Sequence, residues 1–148
     1  MKHSNRWVAA GLMVVGLSLT SCQRLTRAHA DESPAKVVHI EGSDLSQVIL
    51  TEKAMQRIAL MTEPVREQRM SRSASLRTVV PYSSLLYGAH GETWVYTRPQ
   101  ARTFVRHKVT VDYIEGDTAV LNEGPPAGTI VVSVGVAELY GTEFAVGH

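Results

Sequence analysis

Apolar and polar residues alternate along most of this chain, and the period is two. Val109, Val111 and Tyr113 interleave with Lys108, Thr110 and Asp112, the mark of a half-buried strand. Glu115-Gly116-Asp117 supplies a hairpin turn, and residues 118–121 return from it. Pro125-Pro126-Ala127-Gly128 is a rigid loop, after which Ile130, Val132 and Val134 alternate with Val131 and Ser133. Upstream, Val37, Val38 and Ile40 predict a first strand and residues 48–50 a second. Residues 62–70 and 73–80 predict two more, the latter ended by Pro81. Gly88-Ala89-His90-Gly91 reads as a turn, and residues 92–97 then place Trp94 and Tyr96 on one face and Val95 on the other.

Residues 51–60 break the pattern. Thr51 is a capping residue, Glu52 suits the positive end of a helix, and Ala54, Ile58 and Met61 fall at i, i+4 and i+7. This is the one helix the pattern predicts. Many short strands, closely spaced turns and a single helix predict a mainly β domain, a small barrel or sandwich with a helical cap.

The N-terminus is of another kind. Lys2, His3 and Arg6 precede an uncharged run from Trp7 to Leu19, which ends Leu19-Thr20-Ser21-Cys22. A spanning helix needs roughly 20 apolar residues, so the run is too short for one and suits a secretory signal. The ending resembles a bacterial lipobox. It implies cleavage between Ser21 and Cys22 and acylation of Cys22, since a thiol is what forms the thioether to diacylglycerol. The alternatives are a non-lipidated export signal or an uncleaved helix with Cys22 buried. Gln23, in place of the aspartate that retains such proteins in the inner membrane, implies the outer membrane. The chain thus divides into a signal (residues 1–21), a lipidated cysteine and polar tether (22–36) and a β domain (37–148).

Charge narrows the function. The whole chain carries 15 basic and 14 acidic residues, and loss of Lys2 and Arg6 tips the remainder to slightly acidic. No basic stripe suggests nucleic acid. Cys22 is the single cysteine, so neither a disulfide nor a thiolate zinc site forms within one chain. Ser83, Ser84, His90 and Asp112 contain the elements of a triad, but no Gly-x-Ser-x-Gly elbow accompanies them. His39, His90, His107 and His148 lack zinc-type spacing. Met55, Met61 and Met70 are soft-metal donors by type, and their spacing favours core packing. The expectation is a protein with no enzyme activity, no cofactor and no metal site. Arg66, Glu67, Arg69 and Arg72 form a charge-rich run, read either as a solvated strand and turn or as a polar contact with a partner.

The stretch from Val80 onward carries a resemblance. Val80-Pro81-Tyr82-Ser83-Ser84-Leu85-Leu86, Trp94-Val95-Tyr96, Phe104-Val105-Arg106, Gly124-Pro125-Pro126-Ala127-Gly128 and Glu138-Leu139-Tyr140-Gly141-Thr142-Glu143-Phe144 resemble one family. It is that of the periplasmic adaptor subunits (membrane fusion proteins) of resistance-nodulation-division efflux pumps, in their membrane-proximal part. Arg57-Ile58-Ala59-Leu60 and Thr62-Glu63-Pro64-Val65 resemble the segment that opens the adaptor core, with Ala59 where a glycine is common. Full adaptors insert a lipoyl-like domain and a helical hairpin between these two parts. Here residues 66–75 alone separate them. The resemblance therefore implies an adaptor-like accessory protein without the bridging hairpin. Its partners would be the membrane, through its lipid, and an inner-membrane pump or full-length adaptor. The contacts would come from Arg66, Arg69, Arg72 and the loops at 85–91 and 122–128. The alternatives are a lipoprotein that captures a small ligand or metal ion, and an inert remnant of a longer adaptor.

Overall fold

The β-branched alternation becomes ten short strands in the computed structural model, which describes residues 33–145. Strand β1 (Ala35–His39) pairs antiparallel with β2 (Ser46–Leu50). Helix α1 (Glu52–Arg57) follows, its first turn capped where the Thr51 hydroxyl accepts the Ala54 N–H at 3.1 Å. Glu52 in the first turn and Arg57 in the last both favour the helix dipole. Next come β3 (Met61–Pro64), β4 (Arg66–Arg69) and β5 (Leu76–Pro81). A turn of 3-10 helix (Tyr82–Ser84) and β6 (Leu86–Tyr87) lead to the long antiparallel run of β7 (Thr93–Gln100), β8 (Thr103–Glu115) and β9 (Thr118–Glu123). Strand β10 (Ile130–Val134) and helix α2 (Val136–Glu143) complete the described residues.

The main sheet follows the path β3-β10-β7-β8-β9-β5-β4. Its two ends are consecutive in the chain, separated by Val65 alone. The sheet therefore curls until one extended segment, residues 61–69, serves as both its first and its last strand. Val65 sits at the changeover. Its N–H donates to the Thr129 carbonyl and its own carbonyl accepts the Gly128 N–H, both at 2.8 Å. Strand β8 belongs to both halves of the curl, with bulges around Val111 where it bends from one to the other.

Curling gives the sheet an inside and an outside, and both are apolar. Val65, Val80, Val95, Val109, Ala119, Leu121 and Val131 meet as one inner cluster, drawn from β5, β7, β8, β9 and β10 with Val65 from the junction of β3 and β4. Their immediate neighbours face outward. Tyr96, Phe104 and Val132 join Val48 and Leu50 of β2 and Val136 and Leu139 of α2 in an outer cluster, which Ala54, Met55 and Ile58 of α1 help to cover. Val79 and Val120 pack outside with Met70 and Tyr113 in a third. Adjacent residues such as Val95 and Tyr96, both fully buried, thus go to different cores, as alternate side chains of a strand must.

The mainly β, barrel-like architecture agrees with the sequence reading, as do the Thr51 cap, the turns at Gly91 and Gly116, and the opposed faces of Val95 and Tyr96. Several details differ: the strand expected over 62–70 divides at Val65, and the one expected over 73–80 begins at Leu76. Strand β1 opens at Ala35, inside the stretch assigned to the tether. The helix expected over 51–60 spans six residues, and Ala59 then takes a left-handed φ of +48° that ends it. Met61 consequently starts β3 and is 59% exposed instead of packing in the core. The pattern also missed α2. Gly135 precedes it at φ +96° with no capping side chain, and Gly141 lies within it, so the usual start signal is absent and the propensity is low. The spacing of Val136, Leu139 and Tyr140 was the available clue.

Val65 is 2% exposed and lies where the curl closes. Truncation to alanine removes two methyl groups from the inner cluster and leaves a void. We expect Val65→Ala to lower unfolding free energy by about 2 kcal/mol. Urea denaturation checks this, with the m-value unchanged.

Candidate docking surface

Strand β4 reads Arg-Glu-Gln-Arg, and all four residues are exposed. Among the described residues its paired neighbour is β5, in the register Arg66 opposite Val79 and Arg69 opposite Leu76. Since the backbone groups of Val65 point toward residues 128 and 129, strand alternation aims those of Glu67 and Arg69 the same way. Beyond Gly128 the chain turns away into the Pro125-Pro126 loop, and that edge of β4 is left as an open row of donors and acceptors. On the other side β5 ends at Pro81, which has no N–H to offer. A cleft of about 360 Å³ opens there, lined by Glu63, Arg66, Gln68, Tyr82 and Asp117 among others.

The three arginines named from sequence all lie on or beside this edge, each with its own contact. Arg66 meets Glu63 at 3.3 Å, a solvent-facing pair of small energetic weight. Arg69 donates to the Ala74 carbonyl at 2.9 Å and so ties the turn between β4 and β5. The Arg72 guanidinium lies 4.3 Å over the Tyr113 ring. Arg66 and Arg69 are three positions apart on a strand and occupy opposite faces. They line one edge without forming one patch. Of the two loops, residues 85–91 bury Leu85 and expose Tyr87, whose phenol is raised by burial and by the neighbouring Tyr82. The loop at 122–128 starts from a fixed point, since Arg77 donates to Asp112 and to the Asn122 side chain, each at 2.9 Å.

The serine-histidine-aspartate set does not assemble. Ser84 is fully buried, Asp112 is held by Arg77, and the His90 backbone N–H turns to Glu92. The methionines are also dispersed: Met55 borders the outer core, Met70 is in the third cluster and Met61 is on the surface. Ser21 and Cys22 lie outside the described residues, within which no helix is long and apolar enough to cross a membrane.

The sequence reading missed a buried ion pair. Arg106 on β8 donates through Nε to both carboxylate oxygens of Glu143, at 2.9 and 3.0 Å, with side chains 10% and 3% exposed. The Tyr96 hydroxyl, across from Arg106 in the sheet, donates to the same carboxylate at 2.6 Å. The guanidinium lies between the Trp94 and Phe144 rings, 4.7 and 4.8 Å from their centres. Glu143 stands in the last turn of α2, where the helix dipole disfavours an anion. Its place there depends on Arg106. The cross-strand pairing of Tyr96 and Arg106 is implied by the hairpin, but nothing in the pattern announces a carboxylate arriving from a helix that the pattern does not show.

No family model matches this chain, and no curated protein matches it. Among solved structures it is similar to SilB from Cupriavidus metallidurans CH34. The match is to the solution structure of a 180-residue stretch with the N-terminal metal-binding site and the membrane-proximal domain. The identity is 23% and the TM-score 0.44, over 53% of this chain and 42% of that one. This chain thus spans less than half of the one it matches, and the metal-binding site named there is a property of SilB.

Two outcomes follow from the ion pair. Glu143→Ala leaves a buried guanidinium without its anion and should cost about 3 kcal/mol, whereas replacing Arg106 and Glu143 together by Met and Leu should cost far less. Chemical denaturation of the three proteins makes the comparison. Burial, then the Glu143 carboxylate, pushes the Tyr96 phenol well above its usual range. The native state keeps that proton after the unfolded chain has lost it. The stability it contributes is therefore complete below about pH 10 and declines as pH rises beyond, by about 1.4 kcal/mol per unit. Tyr96→Phe should flatten this alkaline decline, seen as melting temperature against pH.

Proposed function

We propose that this chain is a lipid-anchored, adaptor-like accessory component of an efflux system, acting by docking on a pump or a full-length adaptor on the periplasmic side of the membrane. The observation that carries the reading is where residues 66–75 fall. The sequence resemblance makes this the point at which full adaptors leave the barrel for their lipoyl and hairpin domains. In the structure it is the β4 edge and the turn after it, an exposed strand with open backbone groups and three exposed arginines. Open edges are used for partner strands, and arginine is enriched at contact surfaces.

The role needs no chemistry of its own, and the domain contributes a surface. Acylation at Cys22 supplies the anchor, with the polar stretch up to about residue 34 as a tether. Such a tether reaches on the order of 20 Å, enough to hold the domain beside the bilayer. The Gln23 position supports the outer membrane. Without a helical hairpin such a protein adds to an assembly and does not bridge two membranes itself.

Crosslinking in intact cells, followed by affinity capture through a C-terminal tag and mass spectrometry, tests the reading. A pump or its adaptor should be recovered, and charge reversal at Arg66, Arg69 and Arg72 should remove it. Recovery of abundant lipoproteins alone would overturn docking in favour of ligand capture or an inert remnant.

A further inference from the structure

A second cleft, away from the β4 edge, lies between α1 and the tip of the β7–β8 hairpin and encloses about 640 Å³. Met55, Leu60 and Ile130 give it an apolar floor, and Arg98 and Arg102 line it from the hairpin. Among the described residues neither arginine makes an ion pair, since the three present use Arg66, Arg77 and Arg106. Glu52 is the one carboxylate of the lining. Two arginines that make no ion pair among the described residues and three apolar residues thus share one lining, which sets two chemical demands.

The backbone around the cleft is distorted at three points. Arg102 takes φ +62° and Ala59 φ +48°, two of the three non-glycine residues in the left-handed region among the described residues, and both line this cleft. A glycine meets either position without penalty. On the hairpin, Thr97 pairs with Val105 and Gln100 with Thr103, so Arg98 and Pro99 together oppose Phe104 alone. That is a β-bulge, a device that re-aims a side chain. Phe104 itself is fully buried in the outer core, which fixes the strand beneath the bulge. Ala59 takes its left-handed φ where α1 ends and Arg102 in the two-residue turn between Gln100 and Thr103, so these turns fix both residues at the rim of the cleft.

We infer that this cleft binds an anionic amphiphile, with a phosphate or carboxylate on Arg98 and Arg102 and an apolar chain along Met55, Leu60 and Ile130. Arginine suits the head group because its planar fork takes two oxygens at once. A bare inorganic anion leaves the floor unused, and a neutral apolar molecule leaves both guanidinium groups without a partner. The same chemistry is offered by a membrane lipid and by a free fatty acid or alkyl phosphate. The site does not depend on the docking reading.

The test uses the full chain in phosphatidylcholine nanodiscs, titrated by calorimetry with octyl phosphate, with inorganic phosphate and 1-octanol as controls. Octyl phosphate should saturate one site at least about tenfold more tightly than either control. Arg98→Gln should lose that advantage. Arg102→Gly is the more telling variant, because it relieves the left-handed strain: binding should fall while the melting temperature holds or rises. Charge reversal at Arg66, Arg69 and Arg72 should leave binding unchanged, which separates this site from the docking edge. Replacing the nanodisc lipid by phosphatidylglycerol identifies the source. Weakened octyl phosphate binding means that the lipid head group competes for the site, and unchanged binding means a free amphiphile. Absence of saturable binding, equal affinity for inorganic phosphate, or parent-like binding by both arginine variants would overturn the proposal.

Discussion

Residues 61–69 hold both ends of the curled sheet, and the inner core exists because they do. Its first half is hydrogen-bonded to β10 and its second half to β5, with Val65 between them bonded to residues 128 and 129. Without that changeover the path from β10 to β5 is an open sheet, with one apolar face too many for the two helices to cover. With it, Val80, Val95, Val109 and Val131 find one another inside. The outer face is then free to be covered by β2, α1 and α2. A sheet with both faces buried has to be apolar at consecutive positions, and Val79-Val80, Val95-Tyr96 and Val131-Val132 meet that requirement.

The outer core is closed by different physics. Helix α2 buries Val136 and Leu139 but begins without a side-chain cap and ends on an acidic residue. Glu138 in its first turn favours the helix dipole, but its last turn sets an anion at the wrong end. The guanidinium of Arg106, held between two aromatic rings and bonded to Glu143, converts the unfavourable end into an attachment point. Tyr96 ties the same carboxylate to the sheet. The C-terminal end of the helix is thus held by a tertiary contact.

That difference accounts for what could be read in advance. The strands were legible because their period records burial directly, and α1 because Thr51 and Glu52 mark its start. The turns at Gly91 and Gly116 were legible because the backbone there is left-handed. Helix α2 was not, since its stabilising partner lies on β8, distant in sequence. The changeover at Val65 was not, because an unbroken strand and one that exchanges partners have the same alternation. Of the candidate docking surface, the arginines could be named, but the opposite faces of Arg66 and Arg69 on β4 follow from the strand's place in the sheet. The cleft beside α1 left one trace in the sequence, an alanine at position 59 where the resemblance leads one to expect glycine.

The joined ends of the sheet also bear on how the chain acquires its structure. The β7–β8 and β8–β9 hairpins are local and form early, since closing a short loop is fast. Closure of the curl waits for Thr62 to meet Val132, near the far end of the described chain. Contacts this distant in sequence slow folding, because the entropy of the intervening chain is lost before the contact rewards it. Until they form, Val65 and the inner valines face water beside unpaired strand edges. Any chain in which the curl is open therefore presents to a holding chaperone the same valines that fill the barrel once it closes.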